Sequence, residues 1–195
     1  MELSRPAAWE LLTEWVQSDS LRRHCLAVEA AMRAEAGRLG GDEELWGITG
    51  LLHDLDYERH PDLQTGHPRV AIAELERLGY PPELVRGVAS HADFLGVARE
   101  SEMELALAAV DELCGFITAS AYVRPQGIDG LTAKSVRKKL KQPSFAAAVN
   151  RDDIVETAAA LGVDLDEHIT FVIGALAPHA AELGLLGASA ADASA

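Results

Sequence analysis

The sequence predicts an all-α protein of about eight or nine helices. Apolar residues recur at intervals of three and four nearly throughout, and no run of β-branched residues alternates with polar ones over strand length. With 195 residues, 48% of them hydrophobic, the chain can bury one substantial core without disulfides. The expected organisation is a single domain over residues 1–186. The tail that follows, residues 187–195 (GASAADASA), lacks apolar bulk and is expected to be disordered.

Each helix has its own signals. The first covers roughly Ala7 to Gln17, and the second starts after the Ser18-Asp19-Ser20 cap and runs to the Gly40-Gly41 break. A third begins at Asp42 and carries Leu45, Ile48, Leu52 and His53 on one stripe. The polar segment DLDYERHPDLQTGHP is a loop, after which Pro68 opens a helix ending near Gly79 and Pro82 opens another reaching His91. A long Ala- and Leu-rich helix spans about Glu100 to Ala119 and is broken by Pro125, Gly127 and Gly130. A basic helix, one near Asp152 to Leu161 and a last near Asp166 to His179 complete the set.

Composition narrows the function classes. Cys25 and Cys114 each sit in an apolar helical pattern and read as reduced core thiols, which implies a cytoplasmic protein. No stretch has the form of a signal peptide or of eighteen consecutive apolar residues, so neither secretion nor a membrane partner is expected. A net charge of -14 opposes binding to long nucleic acid, because the far field repels phosphate. The exception is LTAKSVRKKLKQ, residues 131–142, where Lys134, Arg137, Lys138 and Lys141 share a helix face. That face reads first as a solvated surface helix and otherwise as a substrate-phosphate or partner site. Oligomeric state is not legible.

Four residues carry unusual chemistry for their positions. Asp54 follows His53 at the end of a helix, where a carboxylate meets the negative pole of the macrodipole unless a cation offsets it. His24 lies on the stripe of Leu21, Val28 and Met32; alone it would read as a hydrogen-bonded core histidine. Asp111 has Leu107, Ala108 and Cys114 one turn away, and alone it would read as a salt-bridged or exposed carboxylate. Together they supply two imidazoles and two carboxylates, a set suited to a mid-series divalent metal.

The order His24, then His53-Asp54, then Asp111 on successive helices resembles the H…HD…D signature of the HD-domain (HDIG-like) superfamily of metal-dependent phosphohydrolases. GITGLLHDLD resembles the family's run into the dyad, and AVDELCGFITA resembles the helix bearing the last aspartate. The resemblance implies an HD-type helical bundle with His24, His53, Asp54 and Asp111 holding a divalent metal (Mn, Fe, Co, Ni, Zn or Mg). His67 and His91 fall in the interval of the expanded pattern H…HD…H…H…D and are the candidates for a second ion. After the dyad the chain reads Leu55-Asp56, where a large branch of the family has a small residue in second place.

The activity so implied is hydrolysis of a small phosphate ester, a nucleotide among the candidates, by metal-activated water; the enzyme would be a phosphomonoesterase or a phosphodiesterase. Asp54 would also orient the attacking water. Glu58 and Arg59, close behind in the loop, are candidates for proton transfer or phosphate contact, and Asp56 belongs with them. Two other readings are consistent with the residues: a di-iron oxygenase of HD fold, which needs the expanded ligand set, and a non-catalytic metal-stabilised module binding a nucleotide or a partner protein. His60, in the same polar loop, is a further candidate, whereas His168 and His179 fall outside the pattern and read as structural or surface residues.

Overall fold

Nine α-helices form among residues 3–188, the part of the chain that the computed structural model describes, with no strand beyond one isolated bridge between Gly127 and Leu186. The all-α expectation holds. In order the helices are α1 (Arg5–Trp15), α2 (Asp19–Leu39), α3 (Glu43–Leu52), α4 (Arg69–Leu78), α5 (Pro82–His91), α6 (Glu102–Tyr122), α7 (Ala133–Leu140), α8 (Arg151–Ala160) and α9 (Leu165–Leu176). Two 3₁₀ turns, Asp93–Leu95 and Ala177–His179, supplement them.

The helix ends follow local chemistry. Ser18 caps α2 through the Leu21 N–H, and Asp42 caps α3 through the N–H groups of Glu44 and Leu45 at 2.9 and 3.0 Å. Gly40 and Gly79 close α2 and α4 with φ near +78° and +76°, a conformation in which a Cβ is strained. The third helix is shorter than its apolar stripe: α3 stops at Leu52, His53 forms its C-cap, and turns carry the chain through Asp54 to Arg59. The sixth begins at Glu102 and runs on to Tyr122, because no proline intervenes before Pro125.

The chain forms two compact units, one up to Ala108 and one from Ala109, and the division falls inside α6. In the first unit α3 packs most extensively against α2 and also meets α1 and α5. Close approach decides that arrangement. A Cβ at Gly50 would lie 2.9 Å from Met32 Cγ and 3.0 Å from the Val28 carbonyl oxygen, so α3 fits against α2 only with glycine there. An ion-pair network holds the other end: Glu29, almost fully buried, takes Arg5 Nε at 3.2 Å and Arg33 Nε at 3.0 Å, while Arg33 Nη1 reaches Glu44 at 2.8 Å. One buried acid thereby ties α1, α2 and α3 together.

In the second unit, α7, α8 and α9 pack around Val136, Ile154, Ile169 and Val172, all buried. The basic helix α7 has part of its charge engaged locally, Arg137 pairing with Asp166 at 3.2 Å and Lys139 lying over the Phe145 ring. α6 has the length and hydropathy of a membrane span, and more than half of that stretch is buried in the fold. Both cysteines are buried and form no disulfide, as expected, and burial together with Asp111 pushes the Cys114 thiol well above its ordinary pKa. Of the tail, Gly187 and Ala188 are described, and the Ala188 N–H donates to the Pro125 carbonyl; residues 189–195 lie outside the described part.

Gly50→Val should lower the free energy of urea unfolding by about 1–3 kcal/mol, the ordinary range for overpacking. A loss under about 0.5 kcal/mol would show that α3 can move off α2 without penalty.

Candidate metal centre

The centre is built on the turn that follows α3. There Asp54, with its side chain 15% exposed, stands among four imidazoles contributed by four separate segments. His24 comes from α2, His53 caps α3, His67 precedes α4 and His91 ends α5. Their Nε2 atoms divide evenly over the carboxylate. His53 and His24 lie 3.4 and 3.8 Å from Oδ2, and His67 and His91 lie 3.6 and 3.8 Å from Oδ1. The rings of neighbouring pairs meet edge-on with centroids 5.2–5.3 Å apart.

Three of the four rings are fixed from behind. The Nδ1 of His53 lies 2.8 Å from the Gly50 carbonyl, and that of His91 lies 2.6 Å from the Val88 carbonyl. A carbonyl oxygen only accepts, so Nδ1 carries the hydrogen and the neutral ring presents its Nε2 lone pair to Asp54. The third, His67, places Nδ1 2.8 Å from Oδ1 of Asp56, whose other oxygen accepts the Ala71 N–H at 2.7 Å. Asp56 is wholly buried. This is the arrangement in which a carboxylate or carbonyl behind an imidazole sets its tautomer and orients it towards a metal.

These contacts test whether a cation belongs here. Lone pairs aimed at a carboxylate repel it, and 3.4–3.8 Å is too long for the hydrogen bonds that protonated rings would make. Four imidazolium rings in van der Waals contact would repel one another instead. Donors bound about 2.1 Å from one tetrahedral ion stand roughly 3.4 Å apart, close to the observed spacing. One ligand atom each from Asp54, His67 and His91 lies within 4.8 Å of the others. The donor set fits a divalent metal, and both oxygens of Asp54 face a histidine pair.

A family model for the HD domain matches residues 21–119, more than half of the chain. The chain belongs to the HD-domain family. The matched span of this HD domain contains His24, His53, Asp54, His67, His91 and Asp111. HD domains bind divalent metals, and the imidazole cluster is a place in this one that can hold them. No curated protein and no solved structure matches the chain.

Glu58, Arg59, His60 and the histidines outside the pattern lie elsewhere. Asp111, half-buried, stands on α6 just past the division between the two units. Glu58 is turned to the junction of α1 and α2, where Oε2 accepts the N–H groups of Gln17 and Ser18, each at 2.9 Å. Arg59 donates to the Glu14 carbonyl and lies over the Trp15 ring, 5.1 Å from its centroid. His60 turns its ring to Trp15 as well. His168 is buried with Nε2 3.1 Å from the Ala109 carbonyl, and His179 sits half-exposed beside Glu182.

Two supporting residues are not evident from sequence alone. Asp56 reads as one acid of a polar loop, and its role depends on the loop closing on itself. The Asp62 carboxylate accepts the Thr65 and Gln64 N–H groups, which holds its carboxyl below the usual range, and the His67 N–H returns to the His60 carbonyl at 2.7 Å. The other is Arg99, whose guanidinium bonds the carbonyls of Ser90 and His91 and so caps the end of α5 that carries His91. Its only sequence signal is a cation a few residues past a helix end.

Asp56→Asn, which removes the charge behind His67 and keeps the shape, should weaken the binding of a divalent metal by about 10- to 100-fold in a competition titration with a chelator. An unchanged affinity would mean that His67 does not bind the ion through Nε2.

Proposed function

We propose that this HD-domain protein is a metal-dependent phosphohydrolase acting on a small phosphate ester, a nucleotide among the candidates. The observation that carries the reading is the even division of four imidazoles over the two oxygens of Asp54. The family pattern adds Asp111 as a further ligand. When bound, a divalent metal supplies a water acidified towards neutrality and a Lewis acid for phosphoryl oxygens. In the overall reaction water adds to phosphorus, the bond from phosphorus to the alcohol oxygen breaks, and the alcohol leaves with a proton.

The chain's own residues provide position and charge. His53, His67 and His91 are held by their Nδ1 contacts, so little ordering remains to be done when substrate arrives. Asp54 and His24 are the members most open to solvent, with side chains 15% and 23% exposed against 0–6% for the other three, so the substrate approaches on their side. An oxygen of Asp54 can accept a hydrogen bond from the attacking water and fix its lone pair on phosphorus. Long nucleic acid is a poor substrate for a chain with net charge -14, whereas a small ester needs only the local cationic field.

A second reading has a specific observation in its favour. The two-and-two histidine arrangement suits a pair of ions, which the di-iron oxygenase reading requires. Two irons per chain together with oxygen consumption would decide for it; ester turnover without oxygen uptake would decide for hydrolysis. Metal binding with no turnover across a broad panel of phosphate esters would leave a non-catalytic binding module.

Asp54→Ala and Asp111→Ala are each expected to lose metal by elemental analysis and to lower phosphate release by about 100-fold or more. His168→Ala should keep the wild-type metal content. Equal metal retention in all three variants would overturn the ligand assignment.

A further inference from the structure

Beside the histidine centre lies a pocket of about 500 Å³, lined by Ser18, Ser20, Leu21, His24, Tyr57 and Glu58. That volume suits the non-phosphate part of a small ester. Two ties join the pocket to the centre. His24 belongs to both, and the Tyr57 ring stands edge-on to that of His67 with centroids 5.1 Å apart. His24 is also the most solvent-accessible of the four imidazoles around Asp54. An ester whose phosphate occupies the centre therefore has this pocket beside it on the open side.

The walls have a marked chemical bias. No Lys or Arg lines the pocket among the described residues. Arg22 and Arg59, close by in sequence, are held elsewhere: Arg22 by the Val16 and Thr13 carbonyls, Arg59 by Glu14 and Trp15. The Glu58 carboxylate is held through Oε2, which accepts both backbone N–H groups; its Oε1 has no protein partner among the described residues. The hydroxyls of Ser18 and Ser20 share a 2.8 Å hydrogen bond, which leaves further lone pairs for a donor. Tyr57, 47% exposed, and Leu21 add flat and apolar surface.

We propose that this pocket receives the alcohol part of a phosphate monoester, that it selects neutral or amine-bearing alcohols with a flat or apolar face, and that Glu58 rejects alcohols carrying a second anionic group. The proposal rests on the hydrolase reading and adds a substrate class to it. A carboxylate or second phosphate in the pocket would meet Glu58 with no lining lysine or arginine to offset it. An ammonium or hydroxyl group would instead find Oε1 and the serine oxygens as acceptors.

The test uses metal-loaded protein and three phenyl phosphates that differ only in the para substituent: hydroxymethyl, aminomethyl or carboxylate. In wild type, kcat/KM for the carboxylate ester should fall about tenfold below the hydroxymethyl ester, with the aminomethyl ester equal or better. Comparing these ratios between variants cancels differences in leaving-group reactivity. Glu58→Gln, whose amide oxygen can still accept the Gln17 and Ser18 N–H groups, should remove most of the discrimination, and Glu58→Lys should reverse it. Metal content is measured for every variant, so that a ratio is read only at equal loading. A carboxylate-to-hydroxymethyl ratio that is the same in wild type and both variants would overturn the proposal while hydrolysis stands. If wild type hydrolyses none of the esters, the hydrolase reading fails. Calorimetric binding of the same three esters then decides: the same charge order supports the pocket assignment, and its absence overturns that too.

Discussion

A partly exposed aspartate surrounded by four imidazoles is the constraint on which the first unit is organised. Asp54 sits just past the C-terminus of α3, where the helix dipole already opposes its charge. Each surrounding Nε2 stands beyond hydrogen-bonding distance. A divalent cation bound at the middle of the arrangement would offset that charge. Metal binding therefore stabilises the folded chain by linkage, in proportion to the logarithm of free metal over its dissociation constant.

Much of the surrounding structure serves to keep the four rings where they are. Gly50 acts twice: its missing Cβ lets α3 approach α2, which brings His53 to His24, and its carbonyl receives Nδ1 of His53. Gly87 repeats the first part of that device on α5, where a Cβ would lie 2.8 Å from Thr49 Cγ2 on α3. The buried Glu29 with Arg5, Arg33 and Glu44 fixes the far end of α1, α2 and α3. Such a network is weak evidence for net stability, since desolvation offsets most of the attraction. Its clear effect is orientational, because each guanidinium has a defined partner on another helix.

The sequence made the helices legible because their signals are local: caps at Ser18 and Asp42, breaks at Gly40 and Gly79, and apolar spacing between. It also made His24, His53, Asp54 and Asp111 legible as one set, with His67 and His91 as candidates for a second ion, through order along the chain and family pattern; the structure brings the four histidines together around Asp54. What it could not show was how they are supported. Asp56 stands where a large branch of the family has a small residue, and from sequence that was only a departure from pattern. In the fold the departure is used, since the buried carboxylate holds His67 and the start of α4 together. Arg59 illustrates the opposite case. Proximity to the dyad in sequence suggested contact with substrate phosphate, but turns after α3 carry Arg59 back to α1.

The acidic character of the chain then acquires a definite consequence. A net charge of -14 repels phosphate esters at long range, and the pocket beside His24 has Glu58 on its wall and no lining lysine or arginine. On the proposed hydrolase reading, attraction for a phosphoryl group would accordingly be short-ranged and concentrated at the histidine centre, where a divalent ion would be the dominant local charge. On that reading, such a site would bind one phosphoryl group through its ion and read the rest of the ligand through shape and hydrogen bonding. It would gain little from additional negative charge on the ligand, which separates it physically from phosphate sites that grip polyphosphates through rows of basic side chains.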